Sequence, residues 1–146
     1  MRYAINIPNF GIYSDIQNMA ELAHEAEEAG WDGFFIWDHI GGGPEWDVPL
    51  ADPLVMLTAI AMRTRRIKLG PIVTALPRVH PWKLARETAS LDRLSRGRLI
   101  LGVGIGSDEG REYSTFNASP ENKLHGEMLD EGLTVLTKLW SGESFD

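Results

Sequence analysis

Asp38 and His39 stand together at the end of an apolar run, Gly33-Phe34-Phe35-Ile36-Trp37. An imidazole beside a carboxylate can be held in one tautomer, and it can give or take a proton near neutral pH. The plainer alternative is a carboxylate capping backbone amides, with a loop histidine bonded to it. A second chemical surface is the alternation Gly102, Gly104, Gly106. This G-x-G-x-G pattern gives a strand one face nearly bare of side chains, where a flat ring can approach closely. Close packing against a neighbouring element accounts for the same glycines. A third surface is Gly70-Pro71-Ile72-Val73-Thr74, in which proline cannot donate to a sheet ladder and so marks a bulge or bend. Bent backbone there can meet a planar ligand with amides rather than side chains.

The remaining polar residues carry less. Ser107 is a candidate ligand-contacting hydroxyl, while Asp108, Glu109 and Glu112 read as loop hydrogen-bonding groups on a solvated face. An unrelated hydrolase or isomerase would draw on Asp38, Glu45 or Glu112, but the spacing offers no matched acid pair. His24, His80 and His125 are expected in solvated or capping roles, and no metal site is read from them. The glycines do not form the G-x-G-x-x-G dinucleotide fingerprint, since position 109 is Glu109. Trp46 closes the loop Gly41-Gly42-Gly43-Pro44-Glu45 as an anchor, or as a lid packing on an aromatic ring.

These residues need a scaffold, and the chain spells one out. Tyr3 to Ile7 reads as a strand closed by Pro8. Asp15 starts a helix whose face is Ile16, Met19, Ala20, Ala23, Ala26 and Glu27, with Gly30 at its C-terminus. Gly33 to Trp37 lacks alternation, as expected of a parallel strand buried on both faces. Asp52-Pro53 opens a second helix through about Arg63. Ile67 to Thr74 is a third strand, Trp82 to Ser95 a third helix ending near Gly97, and Arg98 to Val103 a fourth strand. A last helix runs from Pro120 or Glu121 to Trp140, with Leu124, Met128, Leu129, Leu133, Leu136 and Leu139 or Trp140 as its buried stripe. The order βαβαβαβα predicts an α/β fold of (β/α) barrel type with a parallel sheet and outer helices.

The 146 residues form a single domain with 43% apolar content. A full eightfold barrel takes about 250 residues, so four units make a half-barrel whose edges something must cover. Two copies that associate, or a second half in a longer protein, would do so. A net charge of −7 with scattered Lys and Arg gives no footprint for nucleic acid. Zero cysteines exclude disulfides, thiolate metal sites and a Cys nucleophile. Met1-Arg2-Tyr3 leads directly into an apolar strand without a signal-peptide pattern, and Leu54 to Met62 is too short to span a bilayer. A soluble, cytoplasmic protein is expected.

Several separated motifs, in order, resemble the bacterial luciferase-like monooxygenase family. They are Ala20 to Asp32, Trp37-Asp38-His39, Asp52-Pro53, Leu76-Pro77-Arg78-Val79-His80-Pro81 and Leu91 to Arg98. The resemblance covers nearly the whole chain. It implies the N-terminal half of an eight-stranded barrel that binds FMN or a deazaflavin (factor 420) and moves hydride or activates oxygen on a small organic substrate. It further implies that His39 is a proton donor or base near the reacting ring, and that Asp38 orients it or contacts the cofactor. Ile72 and Val73 would hold a non-prolyl cis peptide against the isoalloxazine, and Gly104, Gly106 and Ser107 would border the ring. The family's phosphate-binding loops lie late in the barrel and have no counterpart here. A homo-oligomer would restore a second half. The alternative is a non-catalytic half-barrel, structural or interacting, that does not bind flavin productively.

Overall fold

A computed structural model describes residues 1–41 and 46–142; Glu45 and its neighbours Gly42, Gly43 and Pro44 lie outside the described residues. Strand β1 (Ala4–Ile7) pairs in parallel with β2 (Gly33–Ile36), and β2 with β3 (Lys68–Pro71). Helices α1 (Ile16–Glu28), α2 (Pro53–Arg63) and α3 (Pro81–Ser95) connect or follow these strands on one face. Spatial order follows chain order, β1-β2-β3, as successive units of a barrel require and a doubly wound sheet does not.

The third strand is interrupted where predicted to bend. Pro71 offers no N–H, the Ile72–Val73 peptide is cis, and the chain resumes as β4 (Thr74–Ala75). The fourth strand is shorter than expected: only β5 (Val103–Gly104) is regular, pairing in parallel with β4. The stretch before it still follows the third strand, through Ile100 N–H to Leu69 O (2.8 Å), Gly102 N–H to Pro71 O (3.0 Å) and Thr74 N–H to Gly102 O (2.9 Å). Its ladder is irregular because it must track a bent partner. Contact there is close, since a Cβ on Gly70 would lie 1.7 Å from the carbonyl oxygen of Ile100.

Local signals placed the helices. The Asp15 carboxylate accepts from Asn18 N–H (3.0 Å) and that of Asp52 from Val55 N–H (2.9 Å), with Pro53 in the first turn. Between sheet and helices lies a core of Met19, Ala23, Phe34, Ile36, Met56, Leu57, Ile60, Ile67, Leu69 and Leu91. Two buried polar side chains lock its base. Glu27 accepts from the backbone N–H groups of Arg65, Arg66 and Ile67, the last at 2.7 Å. Arg98 donates to Ala61 O (2.8 Å), Thr64 O (3.2 Å), Thr64 Oγ1 (2.7 Å), Ile67 O (3.2 Å) and Ser95 O (2.7 Å).

The last helix, α4 (Asn122–Ser141), departs from the expected packing. It buries His125, Gly132 and Leu136 against α3 and the short 3₁₀ turn Leu76–Arg78. Leu124, Met128, Leu133, Leu139 and Trp140 of the predicted stripe are exposed, because only that one side of the helix meets apolar surface among the described residues. A groove of about 530 Å³ between α3 and α4, floored by Leu99, Leu101 and Val103, marks the same unfilled edge. No helix among the described residues is long and apolar enough to cross a membrane.

Candidate active site

Strand ends converge on a cavity of about 580 Å³ lined by Asp38, His39, Ile72, Val73, Gly104, Gly106 and Ser107, while Gly102 lies outside it. Asp38 and His39 enter after β2, Ile72 and Val73 at the bend, and Gly104, Gly106 and Ser107 after β5. Trp37, Ile72 and Val73 are exposed apolar side chains there, each just past the buried end of β2 or β3.

His39 is held from three sides. Asn9, fully buried after β1, accepts His39 N–H at Oδ1 (3.1 Å) and donates from Nδ2 to His39 O and Ala51 O (both 2.8 Å). This clamp fixes the backbone of the residue. Rings surround the imidazole: the centroid of Trp46 lies at 5.0 Å, that of Phe10 at 5.5 Å and that of Trp37 at 5.7 Å. Trp46 is anchored by its indole N–H to Gly110 O at 2.9 Å, so the anchor reading holds while the ring also forms part of the wall.

The partner of the imidazole is Glu112, not Asp38. Glu112 Oε1 lies 3.2 Å from His39 Nδ1 and also accepts Ile40 N–H (2.7 Å) and Gly41 N–H (3.1 Å). Its other oxygen receives Arg78 at 2.9 Å. Glu112 was expected on a solvated face, yet its side chain is 7% exposed, against 34% for His39. Burial acts to raise the carboxyl of Glu112, but the His39 and Ile40 hydrogen bonds and the Arg78 charge outweigh it, and the group sits below its ordinary range. A carboxylate that stays ionised is acceptor only, so Nδ1 carries a proton, and in the neutral imidazole Nε2 is the lone-pair nitrogen.

Asp38 faces Arg78 instead. The Arg78 guanidinium donates to Asp38 O, lies 3.6 Å from the Asp38 carboxylate, and is 8% exposed against 12% for Asp38. The Asp38 carboxylate thus pairs with Arg78 while Nδ1 of His39 pairs with Glu112, so the imidazole is not oriented by its neighbour in sequence. Burial raises the Asp38 carboxyl above its ordinary value, against the opposing hydrogen bond of Thr74 and the charge of Arg78.

The glycines divide between two explanations. A Cβ on Gly102 would meet Pro71 O at 2.9 Å and one on Gly104 would meet Val73 Cγ2 at 3.2 Å, so these two admit the bent strand. Gly106 has φ +72°, and a Cβ there would meet Ala75 Cβ and Tyr113 Oη at 2.8 Å. Asp108 turns away from the cavity and accepts Tyr113 N–H (2.8 Å) and Ser114 N–H (3.0 Å).

Of the solvated or capping roles expected for the histidines, the solvated one does not hold for two of them. His125 is 1% exposed, and the Nδ1 of His24 is buried without a hydrogen-bond partner. His24, Glu27 and Glu28 bring one donor atom each within 4.8 Å of one another, but the Glu27 carboxylate is engaged by the amides after α2. His80 stacks on Trp82 with centroids 4.6 Å apart.

Comparisons agree with this architecture. The sequence profile described as luciferase-like monooxygenase matches residues 1–146. Limonene 1,2-monooxygenase of Rhodococcus erythropolis is 34% identical over 138 residues, covering 93% of this chain and 33% of the relative. An F420-dependent glucose-6-phosphate dehydrogenase of Nakamurella multipartita is 36% identical over 132 residues, covering 86% of this chain and 37% of the relative. The oxygenating constituent of 3,6-diketocamphane monooxygenase from Pseudomonas putida, solved in complex with FMN, superposes with TM-score 0.82 at 26% identity, covering 99% of this chain and 41% of that one. The chain spans about a third of the length of the curated relatives it matches.

Proposed function

This chain belongs to the luciferase-like monooxygenase family, and from that premise we propose that it forms the His39-bearing wall of a cofactor pocket in an oxidoreductase using FMN or a deazaflavin. The observation that carries the reading is the convergence of Asp38, His39, Ile72, Val73, Gly104, Gly106 and Ser107 on one cavity. The residues fit a planar ring. Ile72 and Val73 offer an exposed apolar ledge, and Gly104 and Gly106, packed closely on Val73, Ala75 and Tyr113, line the cavity beside it without adding side chains to it. Ser107 supplies a hydroxyl at the border.

Once bound, such a cofactor supplies hydride transfer or, as a flavin, oxygen activation. The chain's own residues do the rest. His39 accepts or returns a proton at Nε2 while Glu112 keeps Nδ1 protonated. Asn9 and the rings of Phe10, Trp37 and Trp46 hold the imidazole in place. Arg78 bridges Asp38 and Glu112 and offsets part of their charge. The exposed α4 face receives a second half, from another copy or from elsewhere in a longer protein, and in the latter case that half also supplies the phosphate-binding loops.

Titration with FMN and with F420, followed by absorbance and fluorescence beside a light-scattering mass, tests the reading. Saturable perturbation of either cofactor's spectrum, together with association of the chain, is expected. A monodisperse monomer with no affinity for either cofactor overturns it.

A further inference from the structure

We propose that His125, on the first turn of α4 and outside the pocket, is a positioning residue that fixes the tautomer of His39 by holding the turn that delivers Glu112. The turn from Ser107 to Tyr113 carries two pocket contacts, the Glu112 carboxylate on His39 and the Gly110 carbonyl under Trp46. Its floor is Tyr113, 2% exposed, whose hydroxyl donates to Ile105 O at 2.7 Å. Tyr113 directly follows Glu112, so displacement of its ring moves the carboxylate.

His125 is what holds that ring. The two rings stack with centroids 3.9 Å apart and planes inclined by 25°. The imidazole is fixed in turn by Nε2–H donating to Ser119 O at 2.7 Å, while Nδ1 is buried with no partner. This pairing aligns the ring, and it ties the start of α4 to the loop that feeds the pocket. A leucine would fill the same space at less polar cost, since a buried unpaired nitrogen is unfavourable. The stack of His125 on Tyr113 is the contact that leads to the site.

The inference deepens the reading of His39 given above, and its test needs no cofactor, so either can fail without the other. Nitrogen chemical shifts of the His39 imidazole in ¹⁵N-labelled chain report the tautomer directly. The unaltered chain is expected in the Nδ1–H form. His125→Ala is expected to shift His39 toward the Nε2–H form that unconstrained imidazole favours, with the amide signals of Phe34 to Ile36 unmoved. His125→Phe, which keeps a ring on Tyr113, is expected to restore most of the Nδ1–H form. His125→Leu replaces His125→Ala should the latter not fold. Three results overturn the proposal: an unchanged tautomer in a folded Ala or Leu variant, a change that His125→Phe does not reverse, or loss of the whole fold in both the Ala and Leu variants.

Discussion

Replacing Glu112 by glutamine removes a charge without changing volume, and the structure says what that costs. Four donors converge on the carboxylate: Ile40 N–H, Gly41 N–H, His39 Nδ1 and Arg78. A primary amide has one acceptor oxygen, and its NH₂ group must then face some of these donors. Arg78, 8% exposed, keeps only Asp38, with its nearest carboxylate oxygen at 3.6 Å. A hydrogen bond to a charged group contributes roughly 1.5–3 kcal/mol, and breaking a buried pair costs roughly 3–5 kcal/mol, so Glu112→Gln should destabilise by about 3 kcal/mol at neutral pH. The effect has a defined pH dependence. Because the folded carboxyl lies below its ordinary range, its stabilisation is complete above the unfolded pKa of about 4.3 and is lost as pH falls through the folded value. Urea unfolding of both proteins at neutral and acid pH therefore measures it. A difference below about 1 kcal/mol at neutral pH, the range of exposed ion pairs, or one that does not shrink in acid, refutes the reasoning.

Other outcomes follow from the same geometry. Arg98→Lys loses most of five hydrogen bonds to Ala61, Thr64, Ile67 and Ser95, and denaturant melts should show a loss of about 3 kcal/mol, within the range for an uncompensated buried network. Asp38→Asn tests the opposite sign of linkage. The raised carboxyl makes wild-type stability fall as pH climbs from the ordinary value toward the folded one, and that downward slope should vanish in the variant's pH profile. Gly70→Ala places a Cβ against the Ile100 carbonyl, a backbone clash no rotamer relieves, and circular dichroism should show no cooperative fold.

Much of the scaffold was legible because its signals are local. The uninterrupted run Gly33 to Ile36 marked a strand buried on both faces, and Asp15 and Asp52-Pro53 marked helix starts through caps made within a few residues. The bend after Pro71 was legible for the same reason. Partners remote in sequence were not. Glu112 meets His39 across 73 residues and Asn9 reaches His39 across 30, and nothing near either residue announces the pairing. Adjacency even misled, since Asp38 next to His39 suggested a pair, whereas the two side chains take different partners, Arg78 and Glu112. Asn9, placed directly after the Pro8 that closes β1, held a weak signal as a strand-end polar residue. Arg98 and Glu27 stood in motifs noted for resemblance, but their backbone partners depend on how α2, β3 and α3 meet. The stripe on α4 was read correctly as apolar, but periodicity does not say what covers it.

The central claim is that the bent backbone at Ile72–Val73 and the glycine edge at Gly104 and Gly106 face a flavin or deazaflavin ring. Amide chemical shifts recorded while FMN, and separately F420, is added to ¹⁵N-labelled chain test this most directly. The largest changes are expected on Ile72, Val73, Gly104, Gly106 and Ser107, together with the His39 side chain. Changes confined to the groove between α3 and α4, or spread evenly over the surface, would contradict it.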